Sequence, residues 1–404
     1  MATTASILDH ARPQAISLRW IISARDDLVW FIGSVLSSYA LLILYVSGIL
    51  PLVPMVAAWA ILIDAPHVFG TFSRTYFDRT ERQNRGRLLW GSLLFFVVGP
   101  LLVLAHAGFV FFFIAALWAY YHLVKQHYGF MVLYKKKNGD LAPLDNALDR
   151  LLLLFAFNYP FVAFIARDPE AMARVPGPLH SSVNGLALLL LAGTIILAVA
   201  WLGRQIQLAI LGQPLDVPKY LLLAAAIPMH WVVLLTPMPH KPIAIVAILT
   251  IYHNLQYHRL IWFHNKKYRG TGLSGTGVSP VGRLGGSDAG LQSFSPSEVS
   301  SVQRHAQDAH ATRGKYGAAE LISRRLLFYL AFGILFGVIY QGPRQYLGYV
   351  SVTHGGGSGP NAGSIPMQLG IAFLWGYAFI HYYLDSKIWR VRRDPSVRKA
   401  LNMS

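Results

Sequence analysis

Leu28–Leu50 reads LVWFIGSVLSSYALLILYVSGIL, 23 residues without one charged side chain. A helix needs about 20 apolar residues to cross the hydrocarbon core of a bilayer. Leu88–Leu104 and Leu186–Leu202 are apolar stretches of the same kind. Across all 404 residues, 54% are hydrophobic and only 13% charged, where a soluble domain carries about 25% charge. A membrane β-barrel would instead show alternating segments of about 10 residues, and none is visible. The expected fold is all-α: a polytopic integral membrane protein with about ten transmembrane helices. The apolar runs place them near 28–50, 52–72, 88–105, 107–134, 150–167, 183–203, 219–236, 242–264, 325–342 and 366–389. Pro160 and Pro228 interrupt the fifth and seventh.

The net charge of +17 raises nucleic-acid binding as a possibility, and the placement of the charge argues against it. Basic residues cluster beside helix ends: Arg12, Arg19 and Arg25 in the N-terminal tail (1–27), Arg74–Arg87 after the second helix and Lys135–Lys137 after the fourth. Further clusters are Arg204 with Lys219 after the sixth helix, Arg259–Arg269 around the end of the eighth, and Arg390–Arg398 in the C-terminal tail (390–404). All of these fall on one side of an alternating topology, and the opposite loops are sparse in charge. The positive-inside rule then puts both termini in the cytoplasm, and anionic lipid headgroups are the simpler partner for the charge. The first 27 residues lack the apolar core of a cleaved signal peptide. The expected location is a bacterial inner (plasma) membrane.

Between the membrane segments 28–269 and 325–389 lies a Gly/Ser-rich stretch, 270–324, that reads as a flexible cytoplasmic insertion. Its Ser295–Val302 has a helix-start pattern, and His305 and His310 lie in it without fixed context. A smaller Gly-rich stretch, His354–Ser358, reads as an outside loop. The chain has no cysteine. That excludes disulfides, thiolate nucleophiles and Cys-ligated zinc or iron–sulfur sites.

The 15 histidines carry the functional signal. His67 (IDAPHVFGTF), His122 and His127 (YYHLVKQHYGF), His253 and His258 (IYHNLQYHRLIWFH) and His381 (FIHYYLD) fall toward the inner ends of the second, fourth, eighth and tenth helices. Those helices run in one direction. His67, His122, His253 and His381 lie roughly 11–15 residues from the outer start, which is roughly 16–22 Å across a ~30 Å core. A second layer, His127, His258 and Asp385, sits one to two turns nearer the cytoplasm. Asp64 and His67 are i,i+3 neighbours, and His381 and Asp385 are i,i+4 neighbours, so each pair shares a helix face. His122/His127 and His253/His258 are i,i+5, about 140° apart. Either a π-bulge brings each pair together, or each pair spans two sides of a pocket.

A single histidine near the interface is usually a snorkelling or hydrogen-bonded residue. Six on four helices, with two acids, point to a shared polar site, because an Asp at a helix centre costs about 2.5–3.5 kcal/mol on insertion scales. His67, His122, His127, His253, His258 and His381 are the candidate metal ligands, and Asp64 and Asp385 the candidate catalytic or orienting acids. Imidazole suits Fe, Zn, Cu and Ni; a Cys-free site with carboxylates nearby favours one or two non-haem iron ions over structural zinc.

On these residues the chain resembles the histidine-rich integral-membrane non-haem iron enzymes: fatty-acid desaturases, sterol and alkane hydroxylases, and membrane carotenoid oxygenases. The likeness covers the site, and the spacing differs: H-x4-H and single histidines stand where desaturases have HxxxH and HxxHH boxes. It implies O₂-dependent hydroxylation, desaturation or oxidative cleavage of a lipid or isoprenoid. No dinucleotide-binding fingerprint opens a helix after a strand, so electrons would come from a separate donor protein. Other functions compatible with the pattern are a transporter coupled to protons or metal ions, a bis-histidine haem protein, and a non-oxidative lipid transferase or isomerase using His/Asp acid–base chemistry.

The topology has a direct test. Because the chain lacks cysteine, Ser274→Cys and Gly355→Cys can each be probed with a membrane-impermeant thiol reagent. Intact cells should label only the second, and labelling of both on the same side would overturn the arrangement.

Overall fold

The computed structural model describes residues 16–268, 314–354, 364–391 and 394–403. Most of the 270–324 insertion, with Ser295–Val302, His305 and His310, lies outside the described residues, as does 355–358 of the outer Gly-rich stretch.

Among the described residues, ten long helices carry the fold. In chain order they are α1 (Ala24–Val46), α2 (Leu52–Arg74), α3 (Arg79–Leu104), α4 (Gly108–Asn138), α5 (Pro143–Arg167), α6 (Gly177–Ile210) and α7 (Val217–Leu235). Then come α8 (Lys241–His264), α9 (Leu326–His354) and α10 (Ile365–Ile388). Eight of the ten are long and apolar enough to cross a membrane. The two outside that set, α8 and α10, also bury polar residues: Tyr252, His253, Asn254, Gln256 and Tyr257 on α8, and His381 on α10. The described residues are all-α, and eight helices long and apolar enough to cross are consistent with a membrane protein. Several helices also extend beyond their apolar cores. The third starts at Arg79, where Asp78 accepts hydrogen bonds from the Thr80 and Glu81 amides. The fourth ends only at Gly139, whose φ of +76° closes the last turn after Lys135–Lys137.

The charged residues expected at one side gather at one end of the bundle, and some are buried there. Lys135 (α4) and Lys219 (α7) both bind Asp149 (α5), and Lys219 Nζ also donates to Asp140 at 2.6 Å. Burial pushes the Asp140 carboxyl up, but Lys219 and Lys135 outweigh it and hold it below the usual carboxylate range. The N-terminal segment is tied to the same end. Ile16–Ser17 pairs in parallel with Leu215–Asp216, a short bridge with no signal in the hydropathy pattern. The C-terminal tail also packs: Asp394 caps α11 (Pro395–Ala400), which places Val397 and Leu401 in the main core.

α2 holds the first site histidine, and its local geometry is unusual. A π-helical turn covers Ala60–Asp64, just before Pro66 and His67. Proline cannot donate to the carbonyl four residues back, and a widened turn is one way a helix absorbs that defect. α9 packs against this turn through Gly333 and Gly337, a G-x-x-x-G pair on one face. A Cβ at Gly337 would lie 2.3 Å from the Ile61 carbonyl oxygen, and one at Gly333 would lie 2.8 Å from Pro66 Cβ. The contact exists only because both positions lack a side chain. Gly342, on the same helix, has nothing within 4 Å. Gly337→Ala should therefore destabilise the protein by about 1–3 kcal/mol, read as earlier thermal unfolding in detergent. Gly342→Ala should be neutral or slightly stabilising, and equal effects at the two positions would refute the close contact.

Candidate metal centre

Three helices deliver imidazoles to one buried point: His67 from α2, His122 from α4 and His381 from α10; His253 from α8 lies beside them. His67 Nε2 and His381 Nε2 are 2.9 Å apart. These two histidines and His122 each offer a nitrogen, all within 4.8 Å of one another. The His253 ring lies 4.8 Å from that of His67 and 5.2 Å from that of His122. Two nitrogens bound at right angles to one ion at ~2.1 Å would be ~3.0 Å apart, so the His67–His381 separation suits adjacent ligands.

Hydrogen bonds decide which nitrogen of His381 faces the centre. Asp385 Oδ1 accepts from Thr71 Oγ1 at 2.6 Å and from the Tyr257 hydroxyl at 2.7 Å. Thr71 Oγ1 also lies 2.7 Å from the Tyr257 hydroxyl and 2.7 Å from His381 Nδ1. With its one proton on Asp385, Thr71 Oγ1 accepts from His381 Nδ1–H. With its proton on Nδ1, His381 turns a bare Nε2 lone pair toward His67. An aspartate–threonine–histidine chain thus sets the tautomer, the role that outer carboxylates play at histidine metal sites.

The proton count then tests whether a cation fits. His67 has one proton in its neutral form. If the proton sits on Nε2 to meet His381, then Nδ1 is bare, and Nδ1 is buried without a partner. If it sits on Nδ1, two bare Nε2 lone pairs face each other at 2.9 Å. His122 Nε2 and His253 Nδ1 are also buried without partners. Each such group costs about 1–3 kcal/mol when left unsatisfied. With the His67 proton on Nδ1, a cation among the three imidazoles takes up the facing lone pairs, so the donor set fits a metal ion that imidazole prefers.

The chain matches no family model, and comparison with curated proteins and with solved structures likewise returns no match.

The remaining candidate residues are placed elsewhere around this centre. Asp64 is turned away from the histidines and accepts from Gln341 at 2.8 Å and from Asn254 at 3.5 Å. The His258 ring lies 6.1 Å from that of His67, with Nε2 donating to the Ile63 carbonyl at 3.0 Å and Nδ1 against the Tyr329 hydroxyl at 3.4 Å. Both of its nitrogens are engaged, which leaves no lone pair for an ion. His127 points to a third region, toward His230. Of the two alternatives for the i,i+5 pairs, the structure therefore has the second: α4 and α8 stay regular, and each pair spans two sides. Asp385 orients His381 through Thr71, with its other oxygen 3.7 Å from His381 Nδ1. Thr71 and His230 were not among the candidates. Thr71 is four residues after His67 on the same face, a spacing that i,i+4 reasoning reaches.

A cavity of about 650 Å³ opens beside the centre. Its lining includes His122, Tyr257 and Asp385 from the site, the aromatic walls Trp118, Tyr121, Tyr382 and Tyr383, and the cationic residues Lys125, Lys136 and Arg390. That size falls within the range of small-molecule sites.

Loss of the tautomer-setting chain should weaken the centre without dismantling it. Thr71→Val should lower the affinity for Fe(II) or Co(II) about 10–100-fold, while Thr71→Ser keeps it near the wild-type value. Titration of metal-stripped protein measures this; equal affinity in wild type and Thr71→Val would show that Thr71 does not hold His381.

Proposed function

We propose that this protein is a membrane-embedded, metal-dependent oxidoreductase that hydroxylates, desaturates or oxidatively cleaves a lipid or isoprenoid. The observation that carries the reading is the convergence of His67, His122 and His381 on one buried point at the wall of an aromatic-lined cavity. His67, His122 and His381 would hold the ion, and His253 stands beside them. We assign iron, because an all-nitrogen set with a carboxylate close by suits it. Bound there, iron would supply activation of O₂.

The chain's own residues do the rest. Asp385 and Thr71 keep the His381 lone pair on the centre. Tyr257, which donates to Asp385 and packs its ring 4.5 Å from that of His67, closes the site on one side. The aromatic walls accept an apolar chain and exclude water. An acyl chain or isoprenoid is already dissolved in the surrounding bilayer, whereas a polar substrate would have to leave water to reach the site. Electrons would come from a separate donor protein. The protein would sit in a bacterial inner membrane with both termini cytoplasmic, as the basic clusters argue.

A second reading has one specific observation in its favour. The Asp385–Thr71–His381 chain has the form of a proton-transfer device, and it would serve a non-oxidative acid–base enzyme equally well. Oxygen dependence separates the two. Lipids from cells expressing the protein, compared by mass spectrometry with cells expressing His122→Ala, should show a product that gains one oxygen, loses two hydrogens or is cleaved. It should form only in air. A product formed equally under strict anoxia would favour the acid–base reading, and an unchanged lipidome would refute both.

A further inference from the structure

The cavity beside the centre is walled mainly by aromatic and apolar side chains, and its charges fall into two sets. Its lining follows α4 from Trp118 to Lys136, about 27 Å of helix at ~1.5 Å per residue. A space drawn out in this way suits a chain better than a compact molecule. Among the described residues of the lining, Asp385 is the only acid, and its carboxylate is taken up by Thr71 and Tyr257 at the centre. The cations Lys125, Lys136 and Arg390 form the other set.

Cations at this end of the protein are ordinarily paired. Arg74 reaches Asp394, Arg204 binds Asp145, Arg259 binds Asp26, and Lys135 and Lys219 bind Asp149. Among the described residues, no acid pairs with Lys125 or Arg390. Lys125 Nζ lies 4.9 Å over the Tyr128 ring, and Arg390 donates Nε–H to the Ser386 carbonyl at 2.8 Å. The charges that act on Lys125 are those of Arg150 and Arg390, both positive. Arg390 also lines a second recess of about 650 Å³, together with Arg85, Arg87 and Lys387, and the described lining there includes no acid. One guanidinium thus stands where the aromatic cavity meets a basic recess. Cations that face one space without a counter-charge set up a positive field. A carboxylate or phosphate answers it through charge-assisted hydrogen bonds.

We infer that the cavity takes an amphiphile with an anionic head, a carboxylate or a phosphate, held by Arg390 and Lys125 with its apolar chain along the aromatic wall. The inference rests on the proposed reading of this cavity as the substrate site, and it names the class of substrate. An uncharged isoprenoid would leave both cations without a partner. The stretch of α10 and its cap from His381 to Trp389, next to Arg390, rises about 12 Å. The head is therefore fixed about that far along the helix axis from the centre, and the reacting carbon lies within the chain.

The test is direct binding without turnover. Full-length, metal-stripped protein in discs of a zwitterionic lipid is titrated with three chains of equal length: a fatty acid, a monoalkyl phosphate and a fatty alcohol. Each chain carries a bromine, and quenching of tryptophan fluorescence reports its entry, since Trp118 and Trp389 line the cavity. Wild type should bind at least one charged chain about tenfold more tightly than the alcohol, and the tighter of the two identifies the head. Arg390→Gln and Lys125→Gln should each remove most of that advantage and leave the affinity for the alcohol unchanged. Arg325→Gln, at an exposed cation outside both cavities, should keep it. Equal affinity for all three chains in wild type would overturn the inference. So would an advantage that survives both cavity substitutions, because it then belongs to the basic surface as a whole. Should Arg390→Gln fail to elute as a folded species in size exclusion, Lys125→Gln, at an exposed side chain, carries the test. The outcome is separable from that of the oxidative reading. A charged-chain preference without an O₂-dependent lipid product keeps the anionic head and refutes the oxidation, and a product without the preference does the reverse.

Discussion

Asp385 accepting two hydrogen bonds, from Thr71 and from Tyr257, is the constraint on which the centre depends. An imidazole has two nitrogens and, when neutral, one proton. Its use to a metal depends on where that proton goes. With the Thr71 hydroxyl donating to the carboxylate, Thr71 Oγ1 accepts from His381 Nδ1–H, and the Nε2 lone pair faces His67. Three helices are coupled by this chain: α2 supplies Thr71, α8 supplies Tyr257 and α10 supplies both His381 and Asp385. The carboxylate is also connected toward the basic end. Trp389 lies within 3.4 Å of the Tyr257 hydroxyl and stacks under the Arg74 guanidinium, which donates to the Ile388 carbonyl at 2.8 Å and reaches Asp394. Packing of the C-terminal tail and the orientation of His381 are thus parts of one network.

A polar centre of this kind dictates how the apolar helices are used. Imidazoles and a carboxylate are costly in hydrocarbon, so the helices that carry them must be shielded. α8 is the inner helix: Ala244, Ala247, Ile248, Tyr252 and Ile261 are fully buried. α6 does the opposite, exposing Leu188, Ile196 and Val199, as a helix facing lipid should. The division fits α8, which carries His253 and Tyr257 and falls outside the apolar set. Hydropathy marks what touches lipid, and a helix surrounded by other helices is free of that requirement.

The class of fold was legible in the apolar runs, and the positions of nearly all the long helices came with it. The centre was partly legible, because a matched depth on co-directional helices is a sequence property: His67, His122 and His381 do meet, with His253 beside them. Depth along an axis says nothing of rotation about it, and rotation decides the rest. Asp64 shares a face with His67 on a regular helix, yet its carboxylate goes to Gln341 and Asn254. His258 shares the direction of His253 and spends its nitrogens on the Ile63 carbonyl and the Tyr329 hydroxyl. His230 escaped notice because α7 runs against the four helices compared, so the depth argument never included it. The bridge between Ile16–Ser17 and Leu215–Asp216 left no trace either, since pairing over such a distance along the chain has no periodicity to reveal it.

The i,i+5 spacing on α4 looked like a defect for metal binding, because two residues about 140° apart cannot grip one ion from a regular helix. The arrangement around α4 removes the difficulty. His122 turns to His381 and His253, with ring centroids 4.7 and 5.2 Å away, while His127 turns to His230 on the opposite flank. On α4 the wide angular separation sends the two imidazoles to different neighbours rather than to one ion. His253 on α8 lies between them, within reach of both groups of rings. Its i,i+5 partner His258 shows the other outcome of the same geometry. There the imidazole meets a backbone carbonyl and a tyrosine hydroxyl and is satisfied as an ordinary hydrogen-bonding group. One spacing thus has two fates, and the difference lies in whether the facing helix offers a partner for the last lone pair.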